Sequence, residues 1–123
     1  MKKSVLIVDD VETIAKILKI YLSDLCECVY FDNPIKAIAW LQGGNKPDLI
    51  ISDINMPNMT GLEFLDYIRH SDIFKITPFV ILSGESNPNE IDDFLKRGAT
   101  DYILKPFNPK ELKAKFERLF SDK

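Results

Sequence analysis

Side chains that can do chemistry stand directly after four short apolar segments of this sequence. Of the five such segments in the chain, the first is followed by Asp9 and Asp10, the third by Ser52 and Asp53, the fourth by Ser83 and the fifth by Lys105. If the segments are parallel strands of one sheet, their carboxyl ends lie along one edge, where such sheets form ligand sites. Three carboxylates, one hydroxyl and one ammonium are therefore predicted to converge there.

A site with three neighbouring carboxylates has to resolve their mutual repulsion. It can hold protons on carboxyls whose pKa is raised, or it can bind a cation. Carboxylate oxygens with room for water suit Mg²⁺, which usually keeps several of its own waters. With such an ion and Lys105 neutralising an incoming phosphoryl group, an aspartate can attack phosphorus and form an aspartyl phosphate. Each residue alone is ordinary at a helix cap or turn, but capping does not explain their joint placement.

Five short apolar runs predict the strands that would position these side chains. They are apolar on both faces, as expected for strands buried within a parallel sheet. The runs cover residues 5–8, 49–51, 79–82 and 102–104, with a weaker one at residues 29–31.

Segments with one apolar face lie between these runs and predict helices. Apolar side chains recur every three or four positions from residue 11 to 25 and again from residue 112 to 120. Helices should begin at N-caps followed by proline, or by a glutamate three residues later. These caps are Asn33, Thr60, Asn87 and Asn108, with glutamates at Glu63, Glu90 and Glu111. Gly98 is predicted to end a helix.

The alternation of strand and helix, repeated five times, predicts an α/β fold. Such alternation is typical of an open parallel sheet with helices on both faces. No linker, low-complexity stretch or internal repeat interrupts it, so residues 1–123 are predicted to form a single domain. A chain of 123 residues buries roughly two-thirds of its unfolded surface and needs no disulfide or metal to fold.

Composition and charge argue against several classes of protein. The formal net charge is −3 and no basic cluster is present, so direct nucleic-acid binding is not expected. No apolar run is long enough to span a bilayer, and Asp9 and Asp10 interrupt the first run too early for a signal peptide. Cys26 and Cys28 lack the second ligand pair of a zinc site and are predicted to be small apolar residues entering a strand. With no secretory signal, a reducing cytoplasm is the expected location.

Taken together, the motifs resemble the receiver domain of two-component response regulators. The resemblance rests on Asp9-Asp10, Asp53-x-x-Met56-Pro57-x-x-x-Gly61, Ser83-Gly84 and Lys105-Pro106-Phe107. It covers essentially the whole chain, in the family's order and spacing. It implies a flavodoxin-like, doubly wound (βα)5 fold with a five-stranded parallel sheet of order 2-1-3-4-5.

The resemblance also implies roles for the residues of the site. Asp53 would be the phosphoacceptor, and Lys105 would pair first with the acids and then with the phosphoryl oxygens. Asp10, Asp53 and the backbone carbonyl of Asn55 would ligate Mg²⁺. Asp9 would act mainly through water and by orienting Lys105.

Further positions of the family pattern concern switching and dephosphorylation. Ser83 would bond a phosphoryl oxygen and draw its loop inward, although threonine is commoner there in the family. Tyr102 would be the aromatic switch. Asn55 and Glu85 would tune dephosphorylation, in a pairing similar to that of chemotaxis regulators.

By this resemblance the chain would be a phosphorylation-activated switch of a two-component or phosphorelay system. A histidine kinase or phosphotransfer protein would supply the phosphoryl group, and the changed conformation would control a downstream partner or output domain. The chain would assist its own phosphorylation and dephosphorylation without turning over small substrates. The face formed by the fourth helix, fifth strand and final helix would bind the partner. Opposite charges on the two helices would also allow a phosphorylation-dependent homodimer.

Two other classes of protein share part of the pattern. A haloacid-dehalogenase-type phosphatase also uses a strand-end aspartate, Mg²⁺, a hydroxyl and a lysine. It needs Asp-x-Asp on its first strand, whereas here the residue two after Asp53 is Asn55. A flavodoxin-like module binds the FMN phosphate in its first loop, where Asp9 and Asp10 would repel it. A third alternative concerns the role of the chain within its protein. The sequence fits both a stand-alone regulator and the receiver of a longer protein that also has an output domain.

Overall fold

The computed structural model describes residues 2–84, 88–105 and 107–121, which form a five-stranded sheet and five helices. The strands are β1 (Lys3–Val8), β2 (Cys26–Phe31), β3 (Leu49–Asp53), β4 (Phe79–Ser83) and β5 (Asp101–Leu104). The helices are α1 (Glu12–Leu22), α2 (Pro34–Gln42), α3 (Gly61–Arg69), α4 (Pro88–Lys96) and α5 (Pro109–Ser121). All paired strands are parallel, in the order β2-β1-β3-β4-β5, which confirms the predicted fold. Within the described residues no helix is long and apolar enough to cross a membrane.

Helices cover both faces of the sheet, and each face has its own apolar core. Alternate residues of β1 point to opposite faces, with Leu6 and Val8 in one core and Val5 and Ile7 in the other. Helices α2, α3 and α4 pack into the first core, and α1 and α5 into the second. Because β1 is buried on both faces, it reads in the sequence as a continuous apolar run rather than as an alternating one.

Most helix ends lie where the sequence predicts them. The side chain of Asn33 accepts a backbone N–H at 3.1 Å at the start of α2, and Asn108 does the same at 2.9 Å at the start of α5. Thr60 and Glu63 form a reciprocal capping box at the start of α3. Gly98 follows α4 with a φ of +110°, a conformation that favours glycine and ends the helix.

The first helix is shorter than its apolar pattern predicts. The pattern runs from residue 11 to residue 25, whereas α1 ends at Leu22 and the N–H of Leu25 donates to the Leu22 carbonyl at 2.9 Å in a turn. Val11 and Tyr21 belong to the predicted apolar face, yet they are 48% and 43% exposed. Val11 precedes the helix, and its N–H donates to the Asp9 carboxylate at 2.8 Å.

The remaining predicted cap, Asn87, lies outside the described residues.

The two cysteines lie in the first half of β2. Cys26 is buried, and its Sγ lies 3.9 Å from the Sγ of Cys28, with both thiols free. Both side chains pack against the core that contains α1. They therefore enter the strand as small apolar residues, as predicted.

The start of α3 packs tightly against the end of β3, where the predicted site lies. Gly61 donates its N–H to the carbonyl of Ile54 at 2.7 Å. A Cβ at position 61 would overlap the carbonyl oxygen of Asp53 and would lie 3.0 Å from the Ile54 Cα. Glycine is thus required at position 61 for reasons of space, and the close contact holds the backbone that carries Asp53.

Gly61→Ala is expected to lower the free energy of unfolding by about 1–3 kcal/mol, because α3 must move away from the end of β3. Urea unfolding followed by circular dichroism measures the change. Gly84→Ala is the matched control, since a Cβ there meets no atom of the described residues within 4 Å. The control should change stability by less than about 0.5 kcal/mol, and equal stability of the two variants would contradict the crowding at position 61.

Candidate functional site

Three carboxylates come together at the carboxyl ends of β1 and β3. Asp9, Asp10 and Asp53, which form the acid cluster, each offer one oxygen within 4.8 Å of those of the other two. Asp9 is fully buried, Asp53 is half-buried and Asp10 is exposed. The parallel pairing of β1 with β3 brings the two strand ends side by side, so the acids meet at the edge of the sheet where the sequence predicts them.

Lys105 reaches the acid cluster from the end of β5. Its Nζ lies 3.2 Å from Asp9 Oδ2 and 3.3 Å from Asp53 Oδ1. Its backbone N–H donates to the carbonyl of Ser83 at 2.7 Å, which ties this residue to the end of β4. One ammonium is thus shared between two carboxylates, and the fully ionised cluster with Lys105 remains negatively charged.

A cavity of about 340 Å³ opens beside the acid cluster. Its walls include Asp53, Asn55, Ser83, Glu90 and Lys105. Ser83 is almost fully buried, whereas Asn55 is exposed. Glu90 was not predicted to lie here, because the sequence indicated only a capping role for it and a place among the acidic residues of the fourth helix. Glu85, which was expected to act beside Asn55, lies outside the described residues.

Hydrogen bonds fix Asp9 from three sides. Its Oδ1 accepts the N–H of Val11 at 2.8 Å, and its own N–H donates to the carbonyl of Phe31 at 3.2 Å. The hydroxyl of Tyr30 donates to the Asp9 carbonyl at 2.6 Å. The contact of Tyr30 with this site was not predicted, because an aromatic residue in a short apolar run is typical of any strand.

Burial is the dominant influence on the Asp9 carboxyl. It raises the pKa of Asp9 above the ordinary value of 3.8, and the nearby charge of Asp53 raises it further. The Val11 N–H and the Lys105 ammonium both lower the pKa of Asp9 without reversing the shift. Burial also raises the pKa of Tyr30, so its phenol stays protonated at neutral pH.

The donors of the acid cluster fit a hard divalent cation. Mg²⁺ takes oxygen ligands, often from only one or two protein carboxylates, and keeps several waters. The exposure of Asp10 leaves one side of the cluster accessible to such a hydrated ion. A cation held by these acids, together with Lys105, would supply positive charge near Asp53, whose carboxylate can act as a nucleophile toward phosphorus.

Tyr102 lies apart from the acid cluster, on β5 between α4 and α5. It lines a cavity of about 470 Å³ with residues of α4 and another of about 430 Å³ with residues of α5. Lys115 of α5 donates to the Tyr102 carbonyl at 2.9 Å, and its Nζ lies 5.4 Å from the centre of the tyrosine ring. Tyr102 therefore belongs to a surface groove rather than to the acid cluster.

Charged residues of α4 and α5 form ion pairs that the predicted opposition of charge between the two helices did not take into account. Lys113 of α5 pairs with Asp24 at 2.7 Å. Asp92 of α4 pairs with Lys96 of the same helix at 3.2 Å. Pairing within the chain thus reduces the opposition between an acidic α4 and a basic α5 that the sequence suggested.

Known proteins resemble this chain over nearly its whole length. Residues 5–117 match the sequence model of the response regulator receiver domain. The chain is 34% identical over 118 residues to the chemotaxis protein CheY of Pseudomonas aeruginosa, and the match covers 94% of each. It is similar to the solved structure of the chemotaxis response regulator CheY4 of Vibrio cholerae, with a TM-score of 0.89, 35% identity and coverage of 97% and 99%. It is also similar to the BeF3-activated DrrB receiver domain, with a TM-score of 0.87, 25% identity and coverage of 98% and 99%. The segment matched by the family includes the acid cluster, Ser83 and Lys105.

Asp9→Asn is expected to stabilise the metal-free protein near neutral pH by on the order of 1 kcal/mol. Because burial raises the pKa of Asp9, the folded protein binds this proton more tightly than the unfolded chain does. Stability therefore falls as the pH rises from 3.8 through the raised pKa, and the charged carboxylate destabilises the fold above it. Urea unfolding in the presence of a chelator, at neutral and at acidic pH, measures the difference between variant and wild type.

The stabilisation should shrink as the pH falls toward 3.8. Asp72→Asn is the control, because Asp72 is an exposed acid outside the cluster; it should show no such pH dependence. An Asp9→Asn protein that is less stable than wild type at neutral pH would contradict this account. It would mean that the ion pair with Lys105 outweighs the cost of burial.

Proposed function

The chain belongs to the response regulator receiver domain family, and from this we propose that a phosphoryl group on Asp53 switches its conformation. Receiver domains are signalling switches rather than metabolic enzymes. The observation that carries the proposal is the position of Lys105, whose Nζ lies 3.2 Å from Asp9 and 3.3 Å from Asp53. An ammonium held there can neutralise an anion that approaches Asp53, and phosphoryl transfer depends mostly on positioning and neutralisation.

The proposed donor is a phosphohistidine of a sensor kinase or a phosphotransfer protein. A carboxylate oxygen of Asp53 attacks phosphorus and forms a P–O bond, while the P–N bond breaks and its electron pair leaves on the histidine nitrogen. Asp53 Oδ1 accepts the N–H of Ile54 at 2.9 Å, so the local backbone orients the carboxylate. The adjoining cavity of about 340 Å³ offers room for the transferred group.

Mg²⁺ is the proposed cofactor, with Asp10, Asp53 and the backbone carbonyl of Asn55 as direct ligands. The ion would supply positive charge that neutralises the acid cluster and the transferred group. Three carboxylate oxygens within 4.8 Å of one another support this assignment, and the preference of Mg²⁺ for oxygen supports the choice of ion. Asp9 would act mainly through water and through its contact with Lys105 at 3.2 Å.

The remaining residues of the site would hold and release the phosphoryl group. Lys105 and the Ser83 hydroxyl would bind its oxygens, with Ser83 drawing the following loop inward. Asn55 lines the same cavity, and with Glu85 it would tune the attack of water that removes the group. In this proposal residues 1–123 act as one cytoplasmic receiver domain and turn over no small substrate.

The groove between α4 and β5 is the proposed output surface. Leu95 and Leu104 line it beside Tyr102, and they are 37% and 38% exposed. Neighbouring exposed apolar side chains are typical of protein-contact surfaces. Because Ser83 lies opposite Leu104 in the β4–β5 register, a movement at the phosphorylation site can reach this groove. Its occupant would be a downstream target, an output domain or, in a phosphorylation-dependent homodimer, a second copy of the chain.

Acetyl phosphate with Mg²⁺ is expected to add one phosphoryl group to the wild-type protein and none to Asp53→Asn, because asparagine lacks the nucleophilic carboxylate. Intact-mass spectrometry measures the addition. Asp66→Asn removes a partly exposed carboxylate of α3 and should be phosphorylated like wild type. An undiminished gain in mass for Asp53→Asn would show that another residue is the acceptor.

Beryllofluoride with Mg²⁺ is expected to shift the NMR signals of Tyr102 in the wild-type protein but not in Ser83→Ala. The Ser83 hydroxyl is the proposed contact between the bound group and the β4–β5 pair, so its loss should uncouple the two sites. Ser83→Thr keeps a hydroxyl and serves as the control. Shifts near Asp53 report binding of the mimic in every variant. If Ser83→Ala binds it and Tyr102 still shifts as in wild type, the proposed coupling is wrong.

A further inference from the structure

Tyr30 contacts the backbone of the acid cluster from the neighbouring strand. Its hydroxyl donates to the carbonyl oxygen of Asp9 at 2.6 Å. We propose that Tyr30 is a positioning residue for the cation site, because it holds the peptide group that joins Asp9 to Asp10. This inference rests on the proposed function, in which Asp10 is a direct ligand of Mg²⁺.

The geometry of the peptide group explains why this contact reaches Asp10. The carbonyl of Asp9, the N–H of Asp10 and the Asp10 Cα lie in one plane. A hydrogen bond that fixes the carbonyl oxygen therefore also fixes the direction in which the chain leaves Asp9. The bond therefore restricts the backbone orientation of Asp10, even though this residue follows the end of β1 and is exposed to solvent.

Tyr30 can fix this peptide because it is itself held firmly. It lies in β2 opposite Ile7 of β1, and its ring packs against the core that contains α1 and α5. Its side chain has only two rotatable bonds before the hydroxyl, so little freedom is lost when it forms the bond. The hydroxyl acts as a rigid donor that extends from the sheet to the cluster.

A cleft beside Tyr30 indicates what would happen without the bond. Asp10, Glu12, Tyr30, Asp32 and Lys36 all line a cavity of about 310 Å³ next to the acid cluster. Lys36 pairs with Asp32 there at 3.1 Å. Asp10 already borders this cleft, so loss of the bond would leave its carboxylate free to turn further from the acid cluster, toward Lys36 and the acids Glu12 and Asp32. Holding the Asp9–Asp10 peptide in place therefore favours the arrangement that binds metal.

Tyr30→Phe tests the inference, because it keeps the packing of the ring and removes the hydroxyl alone. We expect the variant to bind Mg²⁺ roughly three- to tenfold more weakly than wild type, the loss expected for one hydrogen bond that orients a ligand. Isothermal titration calorimetry with Mg²⁺ measures the affinity. Tyr67→Phe is the matched control, since the Tyr67 hydroxyl bonds Gln42 at 3.3 Å, between α2 and α3; its affinity should equal that of wild type.

A second measurement separates positioning from a purely structural role. The rise in melting temperature that saturating Mg²⁺ causes, taken relative to each protein's own metal-free value, should be smaller in Tyr30→Phe. A variant that melts earlier without metal but binds Mg²⁺ as tightly as wild type would overturn the inference, because the hydroxyl would then serve only the fold.

Asp10→Asn distinguishes failure of this inference from failure of the proposed function. Suppose that wild type binds Mg²⁺ and that Asp10→Asn weakens this binding. If Tyr30→Phe then leaves the affinity unchanged, the inference about Tyr30 is overturned and the proposed function is not. If wild type binds no Mg²⁺, the proposed function is overturned and the inference falls with it. Weakened binding in both variants, with Tyr67→Phe unchanged, is the result that supports the role of Tyr30.

Discussion

Repulsion among Asp9, Asp10 and Asp53 is the constraint on which the rest of the site depends. Their oxygens approach within 4.8 Å, and Lys105 compensates only part of the charge through its contacts with two of them. Burial of Asp9 makes the charged state more costly still, which is why its pKa is raised. Such a cluster gains stability from added positive charge, and that requirement suits it to bind a cation and then a phosphoryl group.

The sheet provides the rigidity that keeps these charges together. The acids and Lys105 lie at the ends of β1, β3 and β5, and Ser83 lies at the end of β4, so the site spans four parallel strands. Apolar cores on both faces hold these strands in register. The tight contact of Gly61 with the end of β3 adds a local restraint beside Asp53. The stability of the fold therefore offsets the unfavourable electrostatic free energy of placing like charges together at one edge of the sheet.

The fold and the meeting of the acids could be predicted from the sequence for one physical reason. Parallel strands buried on both faces read as continuous apolar runs, and their carboxyl ends meet at one edge of the sheet. The contact of Tyr30 could not be predicted, because it depends on the register of β2 against β1 and on the direction of one hydroxyl. The pairing of Lys113 with Asp24 was equally hidden, since it joins residues 89 positions apart in the chain. The apolar pattern also overextended α1 past Leu22, because residues 23–25 form a turn that leads directly into β2.

Paramagnetic broadening by Mn²⁺ tests most directly whether the acid cluster is the proposed cation site. Mn²⁺ takes the same oxygen ligands as Mg²⁺ and broadens the NMR signals of nearby amides. Broadening at low Mn²⁺ is expected to be strongest at the amides of Asp10 and residues 53–55 and to be reversed by excess Mg²⁺. Broadening centred on the exposed acids of α4, Asp92 and Asp93, with the amides of Asp10 and Asp53 left sharp, would contradict the proposed site.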